Sequence, residues 1–143
     1  MGIKNLFFKK TLVIIDTNFL LLPGSQSLDI FTELGRIIDG SLQMTVVEST
    51  IWELQNIIDG LAKSKTKGSD KFNAKLGLIL VKQKGLKVLK SSQITNFADQ
   101  AILEFVKEGV YVATLDKDLQ KKVKAKGGKI VAVKQRKNLV VRQ

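Results

Sequence analysis

The chain contains no cysteine and no histidine. The first absence excludes disulfides, thiolate zinc sites and a cysteine nucleophile. The second removes the commonest general base and the commonest transition-metal ligand. Acid is scarce as well, with 13 Asp and Glu against 24 Lys and Arg. Aromatics are few: Trp52, Tyr111 and some Phe offer no evident base-stacking platform of the single-strand-binding kind. The apolar run from Thr11 to Leu22 carries Asp16 and is too short to cross a bilayer. With no evident signal peptide, the expected location is cytoplasmic and no membrane partner is expected. Any catalysis must therefore run on carboxylates, hydroxyls, lysine or a hard oxygen-bound cation.

What is present is a chain of 143 residues with a formal net charge of +11. That length suits one domain with a proper core. The expectation is a single domain over 1–143, its core at 11–133 and a basic C-terminal extension or edge strand at 134–143. The charge favours polyanionic partners, nucleic acid before an anionic membrane. It is concentrated in two places: Lys63, Lys65, Lys67, Lys71 and Lys75, then Lys117, Lys121, Lys122, Lys124, Lys126 and Lys129. A solvated, lysine-rich surface of the thermophile kind is the plainer reading of the same residues.

Strand-like and helix-like segments alternate. "TLVIID" (11–16) and "LQMTVV" (42–47) read as buried strands. "LKVLK" (86–90), "VYVAT" (110–114) and "KIVAV" (129–133) continue the series. Between them, helices are expected over 27–40, 48–61, 71–85, 95–109 and 116–128, with Gly40, Gly109 and the pair Gly127-Gly128 as stops. The pattern predicts an α/β domain: a three-layer sandwich around a central, mostly parallel sheet of four to five strands.

Parallel sheets carry functional groups at the carboxyl ends of their strands. Asp16 ends the first strand, and Asp116 follows "VYVAT" by two residues. Each could equally be a helix N-cap. Asp99 shares a helix face with Ile102, Leu103 and Val106, which turns it toward the sheet, although Asn96 and Asp99 also resemble a capping box. Glu53 lies with Thr50 and Ile57 at the edge of an apolar stripe, where a solvated surface acid is the ordinary reading. Glu48 reads as a first-turn residue that complements the helix dipole. Together, two strand ends and two inward-leaning carboxylates can converge. Carboxylates held close ionise together only beside a cation, and hard oxygen ligands suit Mg²⁺ or Mn²⁺. One or two such ions could activate water and support displacement at phosphorus without histidine.

In this order and spacing, "VIIDTNFLL", "WEL", "ADQAIL" and "VATLDKDL" resemble the PIN-domain nucleases over about 11–140; the tail "KGGKIVAVKQRKNLV" is most similar to archaeal members of the ribosomal-RNA-processing branch and less to the toxin branch, which shares the same acidic set. The resemblance implies an acidic catalytic and metal-binding pocket of Asp16, Glu53, Asp99 and Asp116, supported by Asn18 and Thr114, with Asp118 as a further acidic position. It implies a metal-dependent endoribonuclease that leaves 5′-phosphate and 3′-hydroxyl ends. The expected partner is RNA, structured or ribosomal, its backbone gripped by Lys63, Lys65, Lys67, Lys71, Lys117, Lys121 and Lys122. A homodimer through Leu76, Leu78, Ile79 and Leu80, which could equally be core residues, and a ribosomal or antitoxin protein partner, fit the same resemblance. A dehalogenase-type phosphatase is disfavoured because Asn18 stands where it needs a second Asp. The rival of another class is an RNA-binding or assembly module that cuts nothing.

Overall fold

The computed structural model describes residues 9–62, 68–92, 95 and 97–143. Its strands are β1 (Thr11–Ile15), β2 (Leu42–Val47), β3 (Lys87–Leu89), β4 (Tyr111–Ala113), β5 (Lys129–Lys134) and β6 (Asn138–Arg142). Its helices are α1 (Thr17–Leu20), α2 (Leu22–Gln26), α3 (Ile30–Ile37), α4 (Glu48–Ile58), α5 (Gly68–Gln83), α6 (Ala98–Glu104) and α7 (Lys117–Ala125). The strands form one sheet in the order β3-β2-β1-β4-β5-β6. All neighbours pair parallel except β5 and β6, which pair antiparallel from Ile130↔Arg142 to Lys134↔Asn138.

Val13, Ile14 and Ile15 are fully buried, as an apolar strand covered on both faces requires. Their side chains alternate between the faces. Val13 and Ile15 join a core with Phe19, Leu20, Ile30, Leu34, Leu54 and Ala74, from the helices α1 and α3 to α5. Ile14 joins the other core, with Ala98, Ile102, Leu119 and Val123 from α6 and α7. Helices thus cover both sides of the sheet, giving the expected three layers.

Three expectations are corrected, and one segment left unread takes shape. The sheet has six strands, not four to five, because residues 138–142 form a hairpin partner for β5. The helix expected over 95–109 is confined to Ala98–Glu104: after it, Phe105 and Val106 donate to carbonyls three residues back and the chain turns out toward Gly109. The helix expected from residue 27 starts at Ile30, capped by the Asp29 carboxylate on the Thr32 N–H, because Ser27 takes a left-handed conformation at φ 51°. Finally, residues 17–26 fold into the two short helices α1 and α2, with Pro23 at the start of α2, where its missing N–H costs nothing.

The chain reaches β2 and β3 on one side of β1, then crosses to β4 on the other. The carboxyl ends of β1 and β4 therefore flank the switch point, where open α/β sheets leave a crevice. Across it, Ile15 pairs with Ala113, and the Asp16 N–H donates to the Ala113 carbonyl at 2.9 Å. The helix α1 that follows Asp16 is seated on α5 at Gly77, where an added Cβ would stand 2.6 Å from the Leu20 carbonyl oxygen.

Candidate active site

A cleft of about 340 Å³ opens at this switch point, lined by Asp16, Thr17, Asn18, Leu21, Glu53, Ile57, Ala98, Asp99 and Asp116. All four carboxylates singled out in the sequence face this one cleft. They arrive from separate elements: Asp16 after β1, Glu53 in the second turn of α4, Asp99 in the first turn of α6, and Asp116 just before α7.

Asp16 is a helix cap, as the sequence allowed, and it also lines the cleft. Its backbone is extended, at φ −76° and ψ 159°, and its carboxylate caps α1 by accepting the Thr17 N–H at 2.8 Å. The second carboxylate oxygen accepts the Thr114 hydroxyl at 2.7 Å. Asp16 is only 7% exposed. Burial pushes its carboxyl up to about 6, the Thr114 and Thr17 hydrogen bonds oppose that rise, and the neighbouring Glu53 and Asp116 charges add to it.

Thr114 is fully buried and joins two strand ends, because its hydroxyl oxygen also accepts the Asp116 N–H at 3.1 Å. Asp116 in turn caps α7, one oxygen accepting the N–H groups of Asp118 and Leu119 at 2.9 and 3.3 Å. Asn18 accepts the Leu115 N–H at 3.2 Å and so ties the β1 and β4 loops together. Glu53 is held through both oxygens: one accepts the Thr17 hydroxyl at 2.7 Å, the other the Ala98 N–H at 2.9 Å. The Thr17 and Thr50 hydroxyl oxygens lie 3.3 Å apart, both buried.

Thr17 was not anticipated as a site residue. It joins the β1 carboxylate to the α4 carboxylate, and its only sequence signal is its place between Asp16 and Asn18. Asp118 is exposed in the first turn of α7 and does not line the cleft. Lys117, Lys121 and Lys122 are exposed on α7, and Lys71 is exposed on α5. Lys63, Lys65 and Lys67 lie outside the described residues, as does Asn96. At the start of α6 the capping position is held by Phe97, which contributes no side-chain hydrogen bond, while the Thr95 hydroxyl accepts the Phe97 N–H at 3.1 Å. Leu78 and Leu80 are partly buried against the core, Leu76 is half-buried, and Ile79 is half exposed.

The donors in the cleft are all hard oxygens, the class that Mg²⁺ and Mn²⁺ take. Among the described residues, no three acidic groups close into a ready-made cage. The buried, mutually repelling Asp16 is the observation that favours a cation there. Among the described residues no helix is long and apolar enough to cross a membrane.

The fold is that of a solved structure described as the PIN domain endonuclease Utp24, with a TM-score of 0.72 over 92% of this chain and 90% of that one, at 23% identity. In sequence the chain is 29% identical over 127 residues to Ribonuclease VapC4 of Methanocaldococcus jannaschii, an alignment spanning 87% of this chain and 92% of the relative. The family model described as PIN like domain matches residues 13–136, a span that contains all four cleft carboxylates, and the chain belongs to that family.

Proposed function

We propose that this protein is an endoribonuclease that hydrolyses RNA phosphodiesters with the help of one or two divalent ions, Mg²⁺ or Mn²⁺. The observation that carries the reading is the convergence of Asp16 and Asp116, at the ends of adjacent parallel strands, with Glu53 and Asp99 in one cleft. Asp16, Asp99 and Asp116 would hold the ions, and Glu53 would complete a second position or orient a water. Such ions supply an activated water and neutralise charge at the reacting phosphorus.

The chain's own residues do the positioning. Thr114 aims Asp16 and fixes the Asp116 backbone, so both strand-end carboxylates move as one unit. Thr17 and the Ala98 N–H hold Glu53. Leu21 and Ile57 supply the apolar part of the cleft wall. The exposed lysines of α7 begin beside Asp116 and would grip the RNA backbone without reading bases.

A role in ribosomal-RNA processing or RNA maturation and decay is the biological setting that we propose, and the likeness to a VapC-type ribonuclease supports RNA as the substrate class. Purified protein should cleave a structured RNA when Mn²⁺ is added and stop when EDTA removes it. Asp16→Asn should lower cleavage at least about 100-fold while leaving RNA binding intact or tighter. Salt-sensitive binding with no cleavage in either protein would instead support an RNA-binding module.

A further inference from the structure

The sheet ends on β6, and a groove of about 480 Å³ runs between this outer strand and α3, lined by Arg36, Ile37, Lys134 and residues 138–141. It shares no residue with the acidic cleft. The register of β6 decides which peptide groups face outward. Leu139 stands opposite Val133, yet its N–H donates to Glu33 of α3 at 3.2 Å rather than into the ladder. Leu139 is therefore one of the non-hydrogen-bonded positions of the pair, and by the antiparallel alternation Val141 is the next. Both turn their N–H and C=O away from β5, toward the open side of the sheet.

At Leu139 those groups are met by side chains. The N–H goes to the Glu33 carboxylate, and the carbonyl accepts from the Arg36 guanidinium at 3.5 Å. Arg36 and Glu33 are themselves paired at 2.8 Å. One ion pair thus supplies the acceptor and the donor that a neighbouring strand would supply. Val141 presents the same two groups two residues farther on, about 7 Å along the strand.

The two faces of this edge differ in chemistry. Leu139 and Val141 turn their side chains to the α3 face, where Ile37 packs in the same core. Arg142 and Lys134 lie on the opposite face, both exposed, at the two ends of the β5–β6 pairing. A second copy would set these cations against their own likes, and the net charge of +11 adds to that repulsion. A nucleic-acid backbone would answer the charge but leave the apolar face and the outward peptide groups unused. An extended polypeptide whose side chains alternate between acidic and apolar answers all three.

We propose that β6 is a docking edge for an extended segment of a partner protein, which adds a strand beside Val141. Its apolar side chains lie on the α3 face and its acidic ones beside Arg142 and Lys134. Val141 is in register with Val131 and Ala113, so the added strand lies three strand spacings, about 14 Å, from β4 and leaves the cleft free.

The probe is a short fluorescein-labelled peptide of alternating glutamate and valine with blocked ends. It should bind the full chain saturably at physiological salt, read by anisotropy, and slow hydrogen exchange at the Val141 amide. N-methylation of alternate residues, on the edge that would pair, keeps the charge and should weaken binding at least about 10-fold. Val141→Pro removes an outward N–H that the β5 ladder does not use and should weaken binding roughly 3- to 10-fold. Should the proline loosen β6 itself, Arg142→Glu is the second variant: it should weaken the glutamate peptide and admit a lysine–valine peptide that the parent refuses. No saturable binding would overturn the proposal. Binding that survives both N-methylation and Val141→Pro, with Val141 exchange unchanged, would also overturn it, as attraction by net charge alone. So would a peptide-free dimer, seen by sedimentation, that Val141→Pro dissociates, because the edge would then belong to a second copy. Val141 exchange slowed by single-stranded RNA and not by the peptide would overturn it in favour of nucleic acid.

Discussion

At the scale of single residues, Asp16 carries the sharpest energetic conflict in the molecule. Its carboxyl is raised from an ordinary 3.8 to about 6, first by burial and then by the acids beside it, against two hydrogen bonds that favour its charge. Between those two values the folded chain binds more protons than the unfolded chain, so stability falls as pH rises through the window and levels off above about 6. The shift corresponds to about 3 kcal/mol lost by neutral pH. Asp16→Asn removes the ionisation and keeps an oxygen that can accept the Thr17 N–H, but it leaves the Thr114 hydroxyl with a poorer partner, a loss of about 1 kcal/mol. The metal-free variant should therefore be more stable than the parent by about 1–2 kcal/mol at pH 7, with the advantage gone near pH 4. Urea melts in EDTA at both pH values would show this. A variant weaker than the parent at pH 7 would mean that Asp16 is not penalised by its burial. Added Mg²⁺ should then raise the midpoint of the parent and leave that of the variant nearly unmoved, since only the parent offers the full carboxylate set.

At the scale of elements, the strands were legible wherever apolar residues run together between turn signals, and the hairpin at the end of the chain shows why one was not. The turn Lys134–Lys137 closes with the Lys137 N–H on the Lys134 carbonyl, and both central residues, Gln135 and Arg136, have positive φ of 54° and 60°. Two such residues make a type I′ turn, whose usual sequence is Asn-Gly or Asp-Gly. Gln-Arg gives no such signal, so β6 could be read only as an extension or an edge strand. The helix α6 was overextended for a related reason: its apolar spacing continues through Val106, yet Val106 is buried by a turn rather than by another helical step. Asp16, Asp99 and Asp116 drew attention by their places at strand ends or on an apolar helix face, Glu53 entered only through the family resemblance, and Thr17 interrupts nothing that its neighbours had not already broken. Backbone strain at the turn can be relieved. Replacing Gln135-Arg136 with Asn-Gly should stabilise the fold by about 1–2 kcal/mol, read as a higher thermal midpoint with cleavage and RNA binding unchanged. No gain would mean that the side chains of Gln135 and Arg136 compensate the conformation.

At the scale of the whole molecule, the charge distribution sets an opposition that any substrate must meet. The chain carries 24 basic and 13 acidic residues, yet the cleft proposed for chemistry gathers four of those acids in one place. Phosphates are drawn to the protein by its overall field and repelled by the cleft itself, which makes divalent ions the natural link between the two. On α7 the buried residues Leu119 and Val123 turn one side to the core, and Lys117, Lys121 and Lys124 follow one another at i, i+4 and i+7 on the exposed side. This row starts next to Asp116 and leads away from the cleft, so it can follow a strand leaving the site. If it does, the logarithm of the RNA association constant should fall linearly with the logarithm of salt, by about 0.7 for each phosphate contacted on a single strand. Lys117→Gln combined with Lys121→Gln should then flatten that slope by about 1.4, two contacts' worth, and weaken binding by a similar factor for every sequence tested. The measurement is RNA binding by fluorescence anisotropy across a salt series in EDTA. An unchanged slope in the double variant would place the phosphate contacts elsewhere, with Lys71 and Lys75 of α5 as the next residues to neutralise.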